Sequence, residues 1–471
     1  MTLIQTNTKS HDPASFRDPS GFVFQHDGII YRKINPMYMP QYKHLMSSGL
    51  YETLLKEKLM VKHDEAEQTN EGGVIIRPAQ IPYISYPYEW CFEQYKDAAI
   101  VTLRIQLLAL KFGMSLKDAS AYNIQFINSR PKLIDTLSFD MYVETPWTAY
   151  GQFCRHFFAP LLLMAHVDQR LGKMMQTYID GIPLDLADCI LHGKGGFAAW
   201  QHVKLHAKAV NSYGEEGKKA DKAVQLTMKK PILESIINSL IRTIEKLKIK
   251  KMITEWGDYY SATNYEGTAA KHKENIVKEY LANITGSFAE STQKNDNFLI
   301  WDLGANNGRY SRLALEYGIN IVAFDIDPVA VGRNYLEERK KRTKMLPLLL
   351  DLTCPSPAIG FANSERQTID GRRKPNAVLM LAVIHHLAIS NNLPLEKIAQ
   401  WLSSLCEYLI IEFVPKEDSQ VKILLKTRMD IFPEYTTEGF EAAFNKYFSL
   451  CNKIQIEQSQ RTLYLFKVIN H

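Results

Sequence analysis

Phe298-Leu-Ile-Trp-Asp-Leu-Gly-Ala-Asn-Asn-Gly-Arg-Tyr-Ser311 reads as a buried strand, a glycine-bearing turn and the opening of a helix. Phe298 to Trp301 is a short apolar run rich in β-formers, bounded by the polar Lys294-Asn-Asp-Asn297. That is the pattern of a strand covered on both faces. Asp302 closes the run, and Gly304 and Gly308 remove side chains where a ligand approaches the backbone. Helical spacing returns from Arg309 to Tyr317. Such a turn leaves N–H groups of a helix start aimed at a ligand, an arrangement suited to an anion.

Working outward, Ile319-Asn-Ile-Val-Ala-Phe-Asp-Ile-Asp327 is a second buried strand ending in acid, with Asp325 placed 23 residues after Asp302. A strand-helix-strand unit produces that separation, and an acid at this point of a dinucleotide fold accepts both ribose hydroxyls. Asp327 is the fallback for that role, or a cap on the helix starting at Pro328. Met345 to Asp351 is a third strand ending in acid, and Ala377 to Ile384 is a fourth, followed by His385-His386. Leu409 to Val414 is the fifth, and Ile454–Glu457 with Thr462–Phe466 forms a closing hairpin. Strands alternating with helices predict an α/β fold, a doubly wound, mostly parallel sheet with its ligand at the carboxyl edge.

The pattern Asp302-x-Gly304-x-Asn306-x-Gly308 resembles the first motif of class I S-adenosylmethionine-dependent methyltransferases, with asparagine in place of the middle glycine. The resemblance covers roughly residues 286–471 and implies a Rossmann-like domain with S-adenosyl-L-methionine as cofactor. It implies that Asp302, Gly304, Asn306 and Gly308 surround the methionine portion, whose carboxylate meets the N–H groups of this turn. Asp325 and Ile326 then take the ribose, while Asp351 and Leu352 take the adenine. In this fold substrate meets methyl after the fourth strand, where no Asn-Pro-Pro-Tyr sequence stands. His385 and His386 are candidate bases for a hydroxyl, the other reading being that they brace the next helix. Glu412 is a further candidate for substrate contact.

At 471 residues, with 46% apolar and 23% charged residues, the chain predicts an ordinary globular protein of two or three domains. Its six scattered cysteines argue against a disulfide framework and a zinc site, and fit a reducing cytoplasm. The first 20 residues carry no apolar core of a signal, and the longest apolar runs are too short to span a bilayer. A net charge of +5 is too small for a nucleic-acid footprint.

The N-terminal part, residues 1–195, reads as an α+β domain. Gly21 to Lys33 is a hairpin turning at His26-Asp-Gly28, residues 41–60 are helical, Asp64 to Gly73 is a loop, and a long helix runs from Asp97 to Phe112. Asp118, Asn123 and Asp135 then follow in a spacing that resembles the catalytic loop of protein-kinase-like phosphotransferases. If that domain is active, the resemblance makes Asp118 the base and Asn123 and Asp135 the magnesium ligands. No glycine-rich loop precedes the hairpin and no Phe-Gly follows Asp135; Lys33 or Arg32 stands where the nucleotide lysine belongs. The plain alternative is a loop in which Asp118 and Asn123 cap local backbone.

Residues 196–285 read as a basic helical linker or lid. Lys204 to Lys251 hold 12 Lys and Arg against 5 Asp and Glu, and the helix from Pro231 to Leu247 is amphipathic. A basic amphipathic helix contacts an acidic partner or a membrane surface, or its lysines keep a connecting helix solvated. Trp256 to Tyr265 is an aromatic cluster, and a helix at Ala269–Leu281 leads into the opening motif. The overall layout resembles the NoeA-type methyltransferases and, in reverse domain order, the kinase-methyltransferases of surface polysaccharides. It implies O-methylation of a glycan or small hydroxylated metabolite; the alternatives are a bifunctional kinase-methyltransferase and a non-catalytic cofactor-binding module.

Overall fold

The computed structural model describes residues 11–204, 227–249, 267–289, 297–426 and 429–469. The aromatic cluster Trp256–Tyr265 and most of the basic stretch before Met228 lie outside the described residues. The chain divides into two compact units. Unit 1 comprises residues 1–81, 85–251 and 358–367; unit 2 comprises 82–84, 252–357 and 368–471. The boundary at 251/252 falls inside the segment read as a linker.

Unit 1 opens with the expected hairpin, β1 (Gly21–His26) against β2 (Ile29–Ile34). Its two-residue turn, Asp27 at φ 50° and Gly28 at φ 76°, has the double positive φ that suits the twist of a tight hairpin. β3 (His63–Gln68) and β4 (Val74–Pro78) complete an antiparallel sheet in the order β1-β2-β4-β3. β3 occupies what the sequence suggested was a loop. Its residues His-Asp-Glu-Ala-Glu-Gln are mostly exposed at the sheet edge, where charge discourages further pairing and hides the apolar alternation of a strand. The long helix, Phe92–Lys111, starts five residues earlier than expected, where Gln94 closes back on the backbone of Cys91. Short strands β5 (Met114–Leu116), β6 (Ile124–Ile127), β7 (Arg130–Leu133) and β8 (Phe139–Met141) follow. The helix Lys230–Lys246 buries Leu233, Ile237, Leu240 and Ile244 and packs on Phe92–Lys111. Its apolar stripe is therefore spent inside unit 1, not offered to a membrane. No described helix is long and apolar enough to cross a bilayer.

Unit 2 is built on β9 (Leu299–Leu303), β10 (Asn320–Asp325), β11 (Met345–Leu349), β12 (Ala377–Met380), β13 (Tyr408–Phe413), β14 (Phe448–Gln455) and β15 (Thr462–Val468). They form one sheet in the order β11-β10-β9-β12-β13-β15-β14, parallel except for β15. β9 and β10 are buried at every residue, as continuous apolar runs require when helices cover both faces. The chain leaves β9 toward β10 on one side and later returns to β12 on the other. This reversal opens a crevice at the carboxyl ends of the two central strands. β12 ends four residues short of the apolar run because Ala382 takes φ +56°, outside extended geometry.

Candidate cofactor and acceptor site

That crevice holds a cavity of about 420 Å³. Its wall takes an acid from the end of β9 (Asp302), of β10 (Asp325) and just past β11 (Asp351), which three successive strands carry to one place. Asp302 is buried and accepts the Ser311 hydroxyl at 2.6 Å. Burial pushes its carboxyl up to about 6, against the lowering effect of Ser311. Asp325 accepts the Asn306 N–H at 2.7 Å and the Asp327 N–H at 2.8 Å, and burial again raises it to about 6. Two oxygens with four lone-pair directions still have capacity for a pair of hydroxyls. Asp351 holds its own turn through Thr353 N–H (2.9 Å) and hydroxyl (2.6 Å). Ile326, more than half exposed, Leu350 and Leu352 give the same end an apolar lining.

The turn itself corrects one expectation. The Gly304 and Ala305 N–H groups both donate to Phe324 O, at 2.9 and 2.8 Å, and Asn306 N–H donates to Asp325. Asn307 N–H meets Asn306 Oδ1 at 2.8 Å, and Gly308 N–H meets Ala305 O. Each amide from 304 to 308 thus has a partner inside the protein, and the turn does not offer them to an anion. Asn306 has φ +49°, so the motif's middle position keeps a left-handed backbone, and asparagine is a residue that tolerates it. Gly304 is required by Val383: a Cβ there would stand 2.3 Å from Val383 Cγ2. Gly308 does not line the cavity; a Cβ on it would meet the Asn334 side chain at 2.6 Å. Asp327 caps its helix through Val329 N–H and Ala330 N–H.

The lining also includes His386, Leu387, Ser390, Asn391, Leu424 and Arg461. His386–Ser390 forms a single π-turn, a form enriched at functional sites. Burial, reinforced by Arg461, lowers the His386 imidazole to about 4. His385 is not part of the lining: it is 1% exposed, and its ring sits 4.0 Å from that of His386. Burial, then His386 and the nearby cations, hold it far below the ordinary histidine range. Glu412 does not reach the cavity either. It is wholly buried at the end of β13, between Lys273 Nζ (2.5 Å) and Arg461 (3.4 Å). Burial alone would raise it, but the two cations outweigh this and leave it below its usual range. Arg461 also forks onto Asp418 at 2.7 and 3.1 Å.

No family model matches this chain. The nodulation protein NoeA of Rhizobium meliloti (strain 1021) is similar to it throughout, 33% identical over 468 residues, 96% of this chain and 95% of the relative. The chain belongs to the NoeA family. Among solved structures it is similar to the magnesium protoporphyrin IX methyltransferase ChlM from Synechocystis PCC 6803 with bound SAH. That match has 16% identity, covers 45% of this chain and 92% of the other, and has a TM-score of 0.31. It is also similar to the N-methyltransferase NodS from Bradyrhizobium japonicum WM9 with S-adenosyl-L-homocysteine (8% identity, 45% and 97% covered, TM-score 0.31). By its own motif and strand order, unit 2 of this NoeA-family chain is a class I methyltransferase domain, and the cofactor of that enzyme class is S-adenosylmethionine.

Lys273 and Arg461 are buried charged lining residues that the motifs did not reveal. Lys273 had a signal: in the helix Thr268–Ala289 it stands in line with the buried Ala269, Ile276, Val277 and Tyr280, on a face that otherwise excludes charge. In unit 1, Asp118 accepts Ser120 N–H (2.9 Å) and Gln152 (2.8 Å), and Asn123 reaches the Ser138 hydroxyl at 3.3 Å. Asp135 is engaged by the Arg32 guanidinium, the Ser138 hydroxyl and the Leu137 N–H.

Proposed function

We propose that this protein transfers the methyl group of S-adenosylmethionine to an oxygen of a glycan or small hydroxylated metabolite. The observation that carries this reading is the convergence of Asp302, Asp325 and Asp351 on one cavity that His386 also lines. The cofactor supplies an electrophilic methyl on sulfur. The protein's part is to hold an acceptor oxygen in line with it, and positioning of this kind removes much of the barrier. Asp325 binds the ribose hydroxyls and Asp351 with Leu352 the adenine. His386, uncharged at neutral pH, accepts the hydroxyl proton. A base so weak takes the proton only as the oxygen gives its electrons to the methyl. Labelled methyl supplied to the full chain with a panel of glycans, polyols and amines tests this. Label on hydroxyl oxygens supports the proposal, and label on amines alone refutes it.

For unit 1 we propose a kinase-like layout that has lost phosphotransfer. The succession of hairpin, helices, antiparallel pair, long helix, Asp118–Asn123 turn, short hairpin and Asp135 supports the layout. The ion pair from Arg32 and the hydroxyl of Ser138 occupy the carboxylate that would hold magnesium. ATP with magnesium titrated into the full chain should give no heat of binding. Saturable uptake with phosphate released or transferred would restore the bifunctional reading.

A further inference from the structure

The amides of residues 304–308 are spent within the protein, which leaves open what receives the carboxylate of the cofactor's methionine portion. Among the described residues three cations line the cavity: Lys273, Arg309 and Arg461. Arg309 is about a third exposed and donates to Glu274 at 2.7 Å. Arg461 stands on the acceptor side, where its charge bears on His386, and it is held by the Asp418 fork. Lys273 is different. Like Arg461 it is 4% exposed and bonds Glu412, but its Nζ lies 4.5 Å over the ring of Tyr310 at the start of the helix after the motif, and its charge bears on Asp302. The Tyr310 contact places it against the helix that the motif opens. Burying an ammonium is costly unless a partner compensates. Glu412, itself wholly buried, is that partner and fixes where the ammonium points.

We propose that Lys273, positioned by Glu412 and Tyr310, binds the carboxylate of the methionine portion, in place of the backbone amides of the glycine turn. The inference rests on the reading of this cavity as the cofactor site. An ammonium carries three donors and serves Glu412 and a ligand carboxylate together. Its contribution falls only on ligands that possess the amino-acid portion; the adenosine contacts at Asp325 and Asp351 are independent of it.

The test is calorimetry on the full chain with two ligands, S-adenosylhomocysteine and 5′-methylthioadenosine, which shares the adenosine and sulfur but lacks the amino acid. Lys273→Met should weaken S-adenosylhomocysteine by at least about tenfold, the scale of one charge-assisted contact, and leave methylthioadenosine within about twofold. Lys273→Gln keeps a hydrogen bond to Glu412 without the charge and gives the same selective loss if the methionine variant fails to fold. Equal losses for both ligands would make Lys273 structural and overturn the proposal, as would no loss for either. Failure of both ligands to bind the unaltered protein would instead refute the cofactor site itself.

Discussion

The two carboxyls raised by burial make cofactor affinity depend on pH in a direction the structure fixes. Burial moves Asp302 and Asp325 each from 3.8 to about 6. In the proposed site the ribose hydroxyls donate to the ionised form of Asp325, so binding would select the carboxylate and draw its proton off. If ionisation of Asp325 alone is required, the dissociation constant at pH 5 is about tenfold weaker than at pH 8, or about 1.4 kcal/mol. If Asp302 must also ionise, the loss approaches about a hundredfold. Stability of the empty protein runs the other way. A carboxyl raised above its unfolded value favours folding most below pH 4, and that contribution is lost as pH rises through 6. By pH 7 the loss amounts to about 3 kcal/mol for each group. Calorimetry with S-adenosylhomocysteine from pH 5 to 8, beside thermal unfolding of the empty protein over the same range, reads both slopes. Asp325→Asn should flatten the affinity profile to at most the tenfold that Asp302 supplies. A flat profile in the unaltered protein, or a full slope in Asp325→Asn, would refute the reasoning.

Gly308→Ala should destabilise unit 2 by about 2–4 kcal/mol, from the left-handed φ of +81° and the clash with Asn334; an unchanged melting temperature would contradict this. Glu412→Gln, by leaving Lys273 and Arg461 under-compensated, should cost about 3 kcal/mol in denaturant unfolding, and an unshifted midpoint would remove Glu412 from its bridging role. His386→Gln should slow methyl transfer about a hundredfold with cofactor affinity unchanged. His385→Gln should act through stability, since that ring does not reach the cavity; equal turnover losses with normal folding would reverse the assignment.

The ends of β9, β10 and β11 were legible because each couples an apolar run, which burial on both faces requires, to an acid at or just past its end. Asp302, Asp325 and Asp351 accordingly meet in one cavity. Other features depend on contacts distant in sequence. The turn's amides are consumed by Phe324 and Asp325 from the neighbouring strand, and Gly308 is set by Asn334, 26 residues on. Glu412 is drawn away from substrate by Lys273, 139 residues before it, and by Arg461. The edge strand His63–Gln68 was missed because its charges serve the sheet edge and not a core. Lys273 was visible only as one charge on an apolar helical stripe.

The central claim is that the cavity at the ends of β9, β10 and β11 holds S-adenosylmethionine. A crystal structure with S-adenosylhomocysteine tests it most directly. Ribose hydroxyls should lie on Asp325 and the adenine between Ile326 and Leu352 near Asp351; a nucleoside bound anywhere else, or a ribose held by other residues, would contradict this.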